Sequence, residues 1–298
     1  SNIAFEQAAY SDAQTITFTQ AGTGAVQRTL QSKERDIVSA LDFGAAADGV
    51  TDDSTALQNA IDMASALGGR MLYIMANHAI ETGLVLEGVT RGFKIVGQGT
   101  IDASKGSIKA TATMDQMFKF GHGTGNSAYQ LSFENVAFDG NNLARDIIQM
   151  ADSTTNSATT LEQISFDKCS FVNPTRCGFI AGDPGATIGT GTNTALNGGN
   201  LIFKDCETSA RYGMFLNLTN YYGVTLQNHI FDGAYLPIGA VLLEQFWSEC
   251  DSSSNFLLDN VQFAASTRDF DASTYCILVE HGLECRQIYS EHYLVLKH

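Results

Sequence analysis

One octapeptide rhythm recurs five times between residues 131 and 263, and it limits the fold more than any other feature of the chain. Leu131–Phe138, Ile164–Phe171, Leu201–Thr208, Val224–Phe231 and Phe256–Phe263 start 33, 37, 23 and 32 residues apart. Each is followed by a second short apolar run: Ile147–Met150, Gly178–Ala181, Gly213–Leu216, Ala240–Leu243 and Cys276–Val279. Runs this short, rich in branched and aromatic side chains, mark strands and not helices. Strands that repeat with no helix between them lack the crossovers of an ordinary parallel sheet. They are expected to stack on their own copies, rung upon rung, as an all-β parallel β-helix.

Stacking turns equivalent positions into columns about 4.8 Å apart. Phe133, Phe166, Phe203, Leu226 and Leu258 are expected inside. Asn135, Lys168, Asp205, Asn228 and Asn260 share a turn position, where side-chain amides can bond along a ladder. Val136, Cys169, Cys206, His229 and Val261 form a column read as core filler, with the two thiols on adjacent rungs. Glu134, Asp167, Lys204, Gln227 and Asp259 form an outward, wholly polar column.

Upstream, the spacing predicts a helix over Thr51–Leu67. Leu57, Ala60, Ile61, Ala64 and Leu67 fall on one face, Thr51, Asp52 and Asp53 supply the cap, and Gly68-Gly69 ends it. Such a helix is expected to plug the open N-terminal end of a solenoid. Residues 1–40 read as an adapter or linker and 41–298 as the β-helix. Tyr293–His298 reads as an unfinished strand, so the β-helix is expected to be incomplete at its C-terminus.

Hydrophobic residues at 44% exclude wholesale disorder, and 17 basic against 32 acidic residues give a formal charge of −15. That field repels phosphate backbones, which argues against nucleic acid as a partner. It leaves room for an acidic polysaccharide held by a few local Arg or Lys. No apolar run approaches the roughly 18 residues of a membrane span. Residues 1–10 have neither the basic nor the apolar region of a signal peptide, so synthesis in the bacterial cytoplasm is expected. The six cysteines contain no CxxC pair and read as buried thiols, and no cofactor or metal is expected.

Asp42–Asp53 followed by Ala56–Ile61 resembles the lead-in motif of the pectate-lyase-like β-helix superfamily. The preceding Phe18–Thr29 and Ser32–Val38 resemble the segment that leads into that motif in bacteriophage tailspikes. The match covers about residues 16–75; beyond it only the rung rhythm is shared, and Met71–Asn77 lacks the Pro and Gly usual there. The resemblance implies a right-handed parallel β-helix, a homotrimer, and a spike in the virion attached to a tail or baseplate protein through the N-terminal segment. It also implies binding of a bacterial surface polysaccharide (capsule, O-antigen or exopolysaccharide), commonly with depolymerising activity. It carries over no catalytic residue.

Glycoside hydrolysis needs two carboxylates at a set separation, and stacked rungs supply such pairs. Aligning the inward residues Met214/Leu216, Val241/Leu243 and Ile277/Val279 puts Asn217, Glu244 and Glu280 in one outward column. Glu244 and Glu280 are then the first catalytic candidates, with Asn217, Trp247 and His281 as sugar contacts. Against this, Ile180, Phe215, Leu242 and Leu278 also point outward, and a strand apolar on both faces is covered on both, here by another subunit. Glu134 and Asp167 are the alternative acids if the polar column is the groove and not merely a solvated face. Gly121–Gly123 resembles a short polygalacturonase motif whose companions are missing, and reads as a loop. Asp139, Asn141, Asn142, Arg145 and Asp146 suit either a Ca²⁺-assisted lyase site or a turn, since Phe138-Asp-Gly recurs at Phe231–Gly233. A polysaccharide hydrolase leads, ahead of a lyase; a non-enzymatic adhesin or structural spike is the alternative.

Overall fold

Each octapeptide is two short strands joined at a left-handed corner. The computed structural model describes residues 12–68, 71–86, 92–98, 107–120, 128–150, 159–181, 196–209, 214–219, 221–232, 241–244, 256–264, 277–279, 283–285, 288–289 and 295–296. Asn135, Lys168, Asp205, Asn228 and Asn260 all have φ between 51° and 54°. The backbone N–H groups of the first four carry the ladder through the bend: Asn135 N donates to Asp167 O (3.0 Å), Lys168 N to Lys204 O, Asp205 N to Gln227 O and Asn228 N to Asp259 O (each 2.9 Å). The expected amide ladder runs over three rungs, from Asn260 Nδ2 to Asn228 Oδ1 (2.9 Å) and from Asn228 Nδ2 to Asp205 Oδ1 (2.7 Å). A second left-handed column, Gln130, Gln163, Asn200 and Gly223, bends the chain just ahead of each octapeptide. The sequence reading did not anticipate it.

Among the described residues the strands form three parallel sheets of ten, nine and eight strands, which the chain visits in that order. One rung illustrates the path: Thr159–Asp167 lies in the ten-stranded sheet, Ser170–Val172 in the nine-stranded, Cys177–Ala181 in the eight-stranded, and Leu196–Lys204 returns to the first. In the five octapeptide rungs the corner between the first two sheets takes one or two residues. The return from the eight- to the ten-stranded sheet varies from residue 220 alone to residues 182–195. That variable return is the main reason the repeats are unevenly spaced.

The interior is built from aligned side chains. Phe133 pairs in register with Phe166, Phe166 with Phe203 and Phe203 with Leu226, all four buried as expected, and the backbone of Leu258 continues the register from Leu226. The three phenylalanines stack at 4.8 and 4.9 Å with interplanar angles of 13° and 7°. Phe179, from the eight-stranded sheet, meets Phe166 and Phe203 edge-on at 5.9 and 5.6 Å. Val136, Cys169, Cys206 and His229 are buried, and both thiols are free. His229 Nε2 lies 3.0 Å from Thr208 Oγ1, which is also buried.

At the N-terminal end, Thr17–Thr19 and Gln27–Thr29 pair antiparallel and lead into helix α1 (Leu30–Glu34). Ile37–Ser39 already pairs with Met71–Tyr73 in the ten-stranded sheet, so the ladder takes its first strand before residue 41. Thr51 and Asp52 belong to strand Asp48–Asp52, and helix α2 spans Ser54–Ala66, three residues shorter at its start than expected. Asp53 is the N-cap residue, yet its carboxylate makes no cap bond. It accepts instead from Ala46 N (2.6 Å), Ala47 N (3.0 Å) and the buried His78 Nδ1 (2.8 Å), which fold the lead-in motif back on itself. Gly49, at φ 74°, makes the turn inside that motif.

Helix α2 follows Asp48–Asp52 at the point where later rungs enter the eight-stranded sheet, and it packs on Leu84–Leu86, the end strand of that sheet. Leu57, Ala60, Ile61 and Ala64 are buried in the common core, as the periodicity predicts, whereas Leu67, the fifth residue of that expected face, lies just past the helix end and is exposed. The Gln58 amide acts as a strand substitute: Nε2 donates to Val85 O and Oε1 accepts from Val85 N, both at 2.8 Å. Ser54 Oγ accepts from Glu81 N and Thr82 N, each at 3.0 Å.

Replacing Gln58 by Ala leaves Val85 with an unpaired donor and acceptor at a sheet edge. The variant is expected to lose about 1–3 kcal/mol in chemical denaturation and to aggregate sooner. A second prediction concerns acid. Burial pushes the His229 imidazole from its usual 6.5 down to about 3, so the folded chain keeps it neutral where the unfolded chain protonates it. Its contribution is intact above pH 6.5 and erodes as pH falls toward 3, by roughly 1.4 kcal/mol per unit. Unfolding at pH 7 and pH 5 should therefore differ by about 2 kcal/mol through this group. His229→Val, the residue found at positions 136 and 261 of the same column, should abolish that difference.

Candidate functional site: the polar column of the ten-stranded sheet

Alternation along each strand of the ten-stranded sheet sends Phe133, Phe166, Phe203 and Leu226 inward, and so turns the next residue outward. Glu134 pairs in register with Asp167, Asp167 with Lys204, Lys204 with Gln227 and Gln227 with Asp259. Lys204 is exposed and the other four are half-buried. One face therefore carries five polar side chains on five successive rungs.

The column is internally organised. Lys94 Nζ forms an ion pair with the Glu134 carboxylate, and Gln227 Nε2 donates to Asp259 Oδ2 (3.1 Å). The hydrogen bond from Lys94, more than its charge or that of Lys168, holds Glu134 below the usual glutamate value of 4.5, against the opposing effect of partial burial. Glu134 is thus an anion at neutral pH, suited to accept a proton or bond a sugar hydroxyl. Asp167 Oδ1 is buried and has no hydrogen-bond partner among the described residues. Neighbouring rungs bring two carboxylates to the scale of the roughly 5 Å separation used by retaining glycosidases.

The other candidates fare differently. Glu280, Trp247, His281 and the Gly121–Gly123 loop lie outside the described residues. Glu244 ends strand Val241–Glu244 and pairs with Thr219, while Asn217 pairs with Leu242. The expected column of Asn217 beside Glu244 is therefore displaced by two residues. A slip of two leaves every inward residue inward, so alternation alone cannot detect it. The same shift replaces Phe215 by Asn217 in the supposed apolar stripe, which in register reads Ile180, Asn217, Leu242, Leu278 and Val295.

The loop with a suggested Ca²⁺ role has its carboxylates committed elsewhere. Asp139 Oδ1 accepts from Asn141 N (2.8 Å) and Asn173 Nδ2 (3.1 Å), which is the turn reading. Asp146 is buried and forked by Arg176, through Nε at 2.9 Å and a second guanidinium nitrogen at 2.5 Å. Arg145 adds a contact at 3.6 Å to Asp146 and pairs with Asp115 at 3.2 Å. Lys94 escaped the sequence reading because Lys94–Gly97 lies upstream of the five octapeptides that located the other rungs.

Comparison with known proteins agrees with this architecture. Residues 37–262 match the family described as rhamnogalacturonase A/epimerase, pectate lyase-like. The chain belongs to that family. It is a pectate lyase-like parallel β-helix similar to phage tailspikes. The tail spike protein of Shigella phage Sf6 is 45% identical over 58 residues, which span 19% of this chain and 9% of that protein. Among solved structures, the phiAB6 tailspike in complex with oligosaccharides of Acinetobacter baumannii surface polysaccharide aligns over 93% of this chain and 50% of its own, at 16% identity and a TM-score of 0.44. The tailspike of E. coli bacteriophage HK620, in complex with a pentasaccharide, aligns over 93% of this chain and 60% of its own (11% identity, TM-score 0.44). WceF of Pantoea stewartii, a glycan biofilm modifying enzyme with a tailspike-like parallel β-helix fold, aligns over 97% of this chain and 40% of its own (16% identity, TM-score 0.45).

The ion pair at Glu134 makes a direct prediction. A ¹³C carboxylate titration should place the Glu134 midpoint below 4.5, and Lys94→Met should raise it. A midpoint above 4.5 in the unaltered chain would instead mark Glu134 as a proton donor.

Proposed function

We propose that this chain is the β-helix of a phage tailspike that binds and depolymerises a bacterial surface polysaccharide by glycoside hydrolysis. The observation that carries this reading is the continuous polar column of Glu134, Asp167, Lys204, Gln227 and Asp259 on one face of the sheet, a surface suited to an extended hydrophilic polymer. Glu134 and Asp167 are the acids that the described geometry favours. Glu244 and Glu280 remain the second pair, with Asn217, Trp247 and His281 as further sugar contacts. The tailspike setting rests on the family and on the local match to the Sf6 tail spike. In that setting α2 closes the N-terminal end of the solenoid, residues before it join the spike to a tail protein, and three copies associate in the virion.

One observation favours a second reading. The pairing of Glu134 with Lys94 removes a carboxyl that would otherwise serve as the acid, as a pure glycan-binding adhesin would tolerate. Incubation with purified capsular and O-antigen polysaccharides separates the two. Hydrolysis predicts new reducing ends without the ultraviolet absorbance of unsaturated uronate. Glu134→Gln or Asp167→Asn should then lower the rate about 10²–10⁴-fold while binding persists. Full activity in both variants, with loss in Glu244→Gln or Glu280→Gln, would move the site to the eight-stranded sheet. Binding with no new ends for any polysaccharide would leave the adhesin.

A further inference from the structure

We propose that Lys168 and Lys204 form a cation site that selects an anionic polysaccharide, one carrying carboxylate or phosphate groups along its chain. The inference rests on the glycan-binding reading above and specifies the chemistry of the ligand. It starts from an anomaly in the corner column. Four of its five residues are Asn or Asp, the side chains that best tolerate the left-handed region, and the fifth is Lys168 at φ 52°. Lys168 has no amide to continue the ladder that links Asp205, Asn228 and Asn260. A residue that is unfavourable for the corner and adds nothing to the ladder is the kind of outlier that points to function.

The surroundings indicate which function. Lys168 directly follows Asp167, whose register partner is Lys204, and Lys168 N donates to Lys204 O across the rungs (2.9 Å). Both side chains are exposed. Among the described residues neither ammonium is in an ion pair or hydrogen bond, whereas Lys94 on the same face is neutralised by Glu134. Lys168 acts on Glu134 only through its charge, and two exposed cations on adjacent rungs are conspicuous in a chain with 32 acidic and 17 basic residues. They flank Asp167, which is half-buried on the same face. An anionic group seated between the two ammonium groups would match both at once. A neutral glycan would leave the two cations unmatched.

The test uses the full chain and a panel of capsular and O-antigen polysaccharides, with each acidic member prepared in two neutralised forms. Carbodiimide–borohydride reduction removes carboxylates, and hydrogen fluoride treatment removes phosphodiesters. The proposal expects a bound polysaccharide to be acidic and to lose at least tenfold in affinity in one of the two forms, which identifies the source of the charge. Lys168→Asn and Lys204→Gln should each weaken binding about fivefold, with the difference shrinking at high salt. Lys168→Asn should keep or raise the Tm, because it restores the ladder residue, so a loss of binding there is not a loss of fold. A neutral polysaccharide bound equally well by the unaltered chain and by both variants would overturn the proposal and leave the glycan-binding reading standing. Failure to bind any polysaccharide would overturn both.

Discussion

The left-handed corner is the constraint on which the rest of the structure depends. A rung that turned one residue early or late would reverse the facing of every side chain in the following strand. Its phenylalanine would then stand in solvent and its carboxylate in the core. The corner prevents this by making the bend expensive for most residues. The left-handed region costs roughly 1–2 kcal/mol for an ordinary L-residue and much less for Asn or Asp, so those residues mark where the chain bends. Asn135, Asp205, Asn228 and Asn260 occupy equivalent places, and backbone bonds from Asn135, Lys168, Asp205 and Asn228 to the next rung carry the ladder through the turn.

With the corners aligned, like stacks on like. Phe133, Phe166 and Phe203 lie nearly parallel because their strands are in register, and Phe179 fills the space between them edge-on. Register also creates the difficulty of any parallel stack, which is an end strand with unpaired backbone groups. Here the first rung gives way to helix α2, and two of its side chains take over the role of a further strand. Gln58 pairs both polar groups of Val85, and Ser54 receives the N–H groups of Glu81 and Thr82. The lead-in motif that resembles the pectate-lyase-like superfamily is held together by its own contacts. Asp53 and His78 lock its loop, and none of its residues lies on the polar column.

Those facts explain which parts of the molecule were legible in the sequence. The octapeptides were, because a column demands the same kind of residue at the same place on every rung, and the interior, corner and polar columns all emerged from that repetition. The second left-handed column was not. Its residues are Gln130, Gln163, Asn200 and Gly223, and no shared chemistry announces a bend there. The pairing of Met214–Thr219 with Val241–Glu244 was misplaced by two residues for a related reason. Residues 233–240 separate the latter strand from the preceding corner, so the register could not be counted from it and only alternation remained. Lys94 lay outside the rhythm altogether, although its partner Glu134 lay inside it. Helix α2 was found by its apolar face, but the roles of Asp53 and Gln58 needed the strands they touch.

Net charge and local charge lead to different expectations for a ligand, and their ranges decide which applies. At physiological ionic strength a charge is screened beyond about 8 Å, so the overall −15 acts on an approaching polymer mainly through whatever part of the surface it covers. Duplex DNA carries a charge every 1.7 Å or so along its axis and meets the acidic majority wherever it lies. A polysaccharide with one acidic group per repeating unit meets the protein's charges only at the rungs where that group falls. On the ten-stranded sheet the sequence of charges is rung-specific: Glu134 neutralised by Lys94, then Asp167 between Lys168 and Lys204, then the neutral Gln227 beside Asp259. A solenoid can therefore repel polyanions in general and still accommodate a sparsely charged one, because each rung offers an independent position in a column whose spacing the fold already sets.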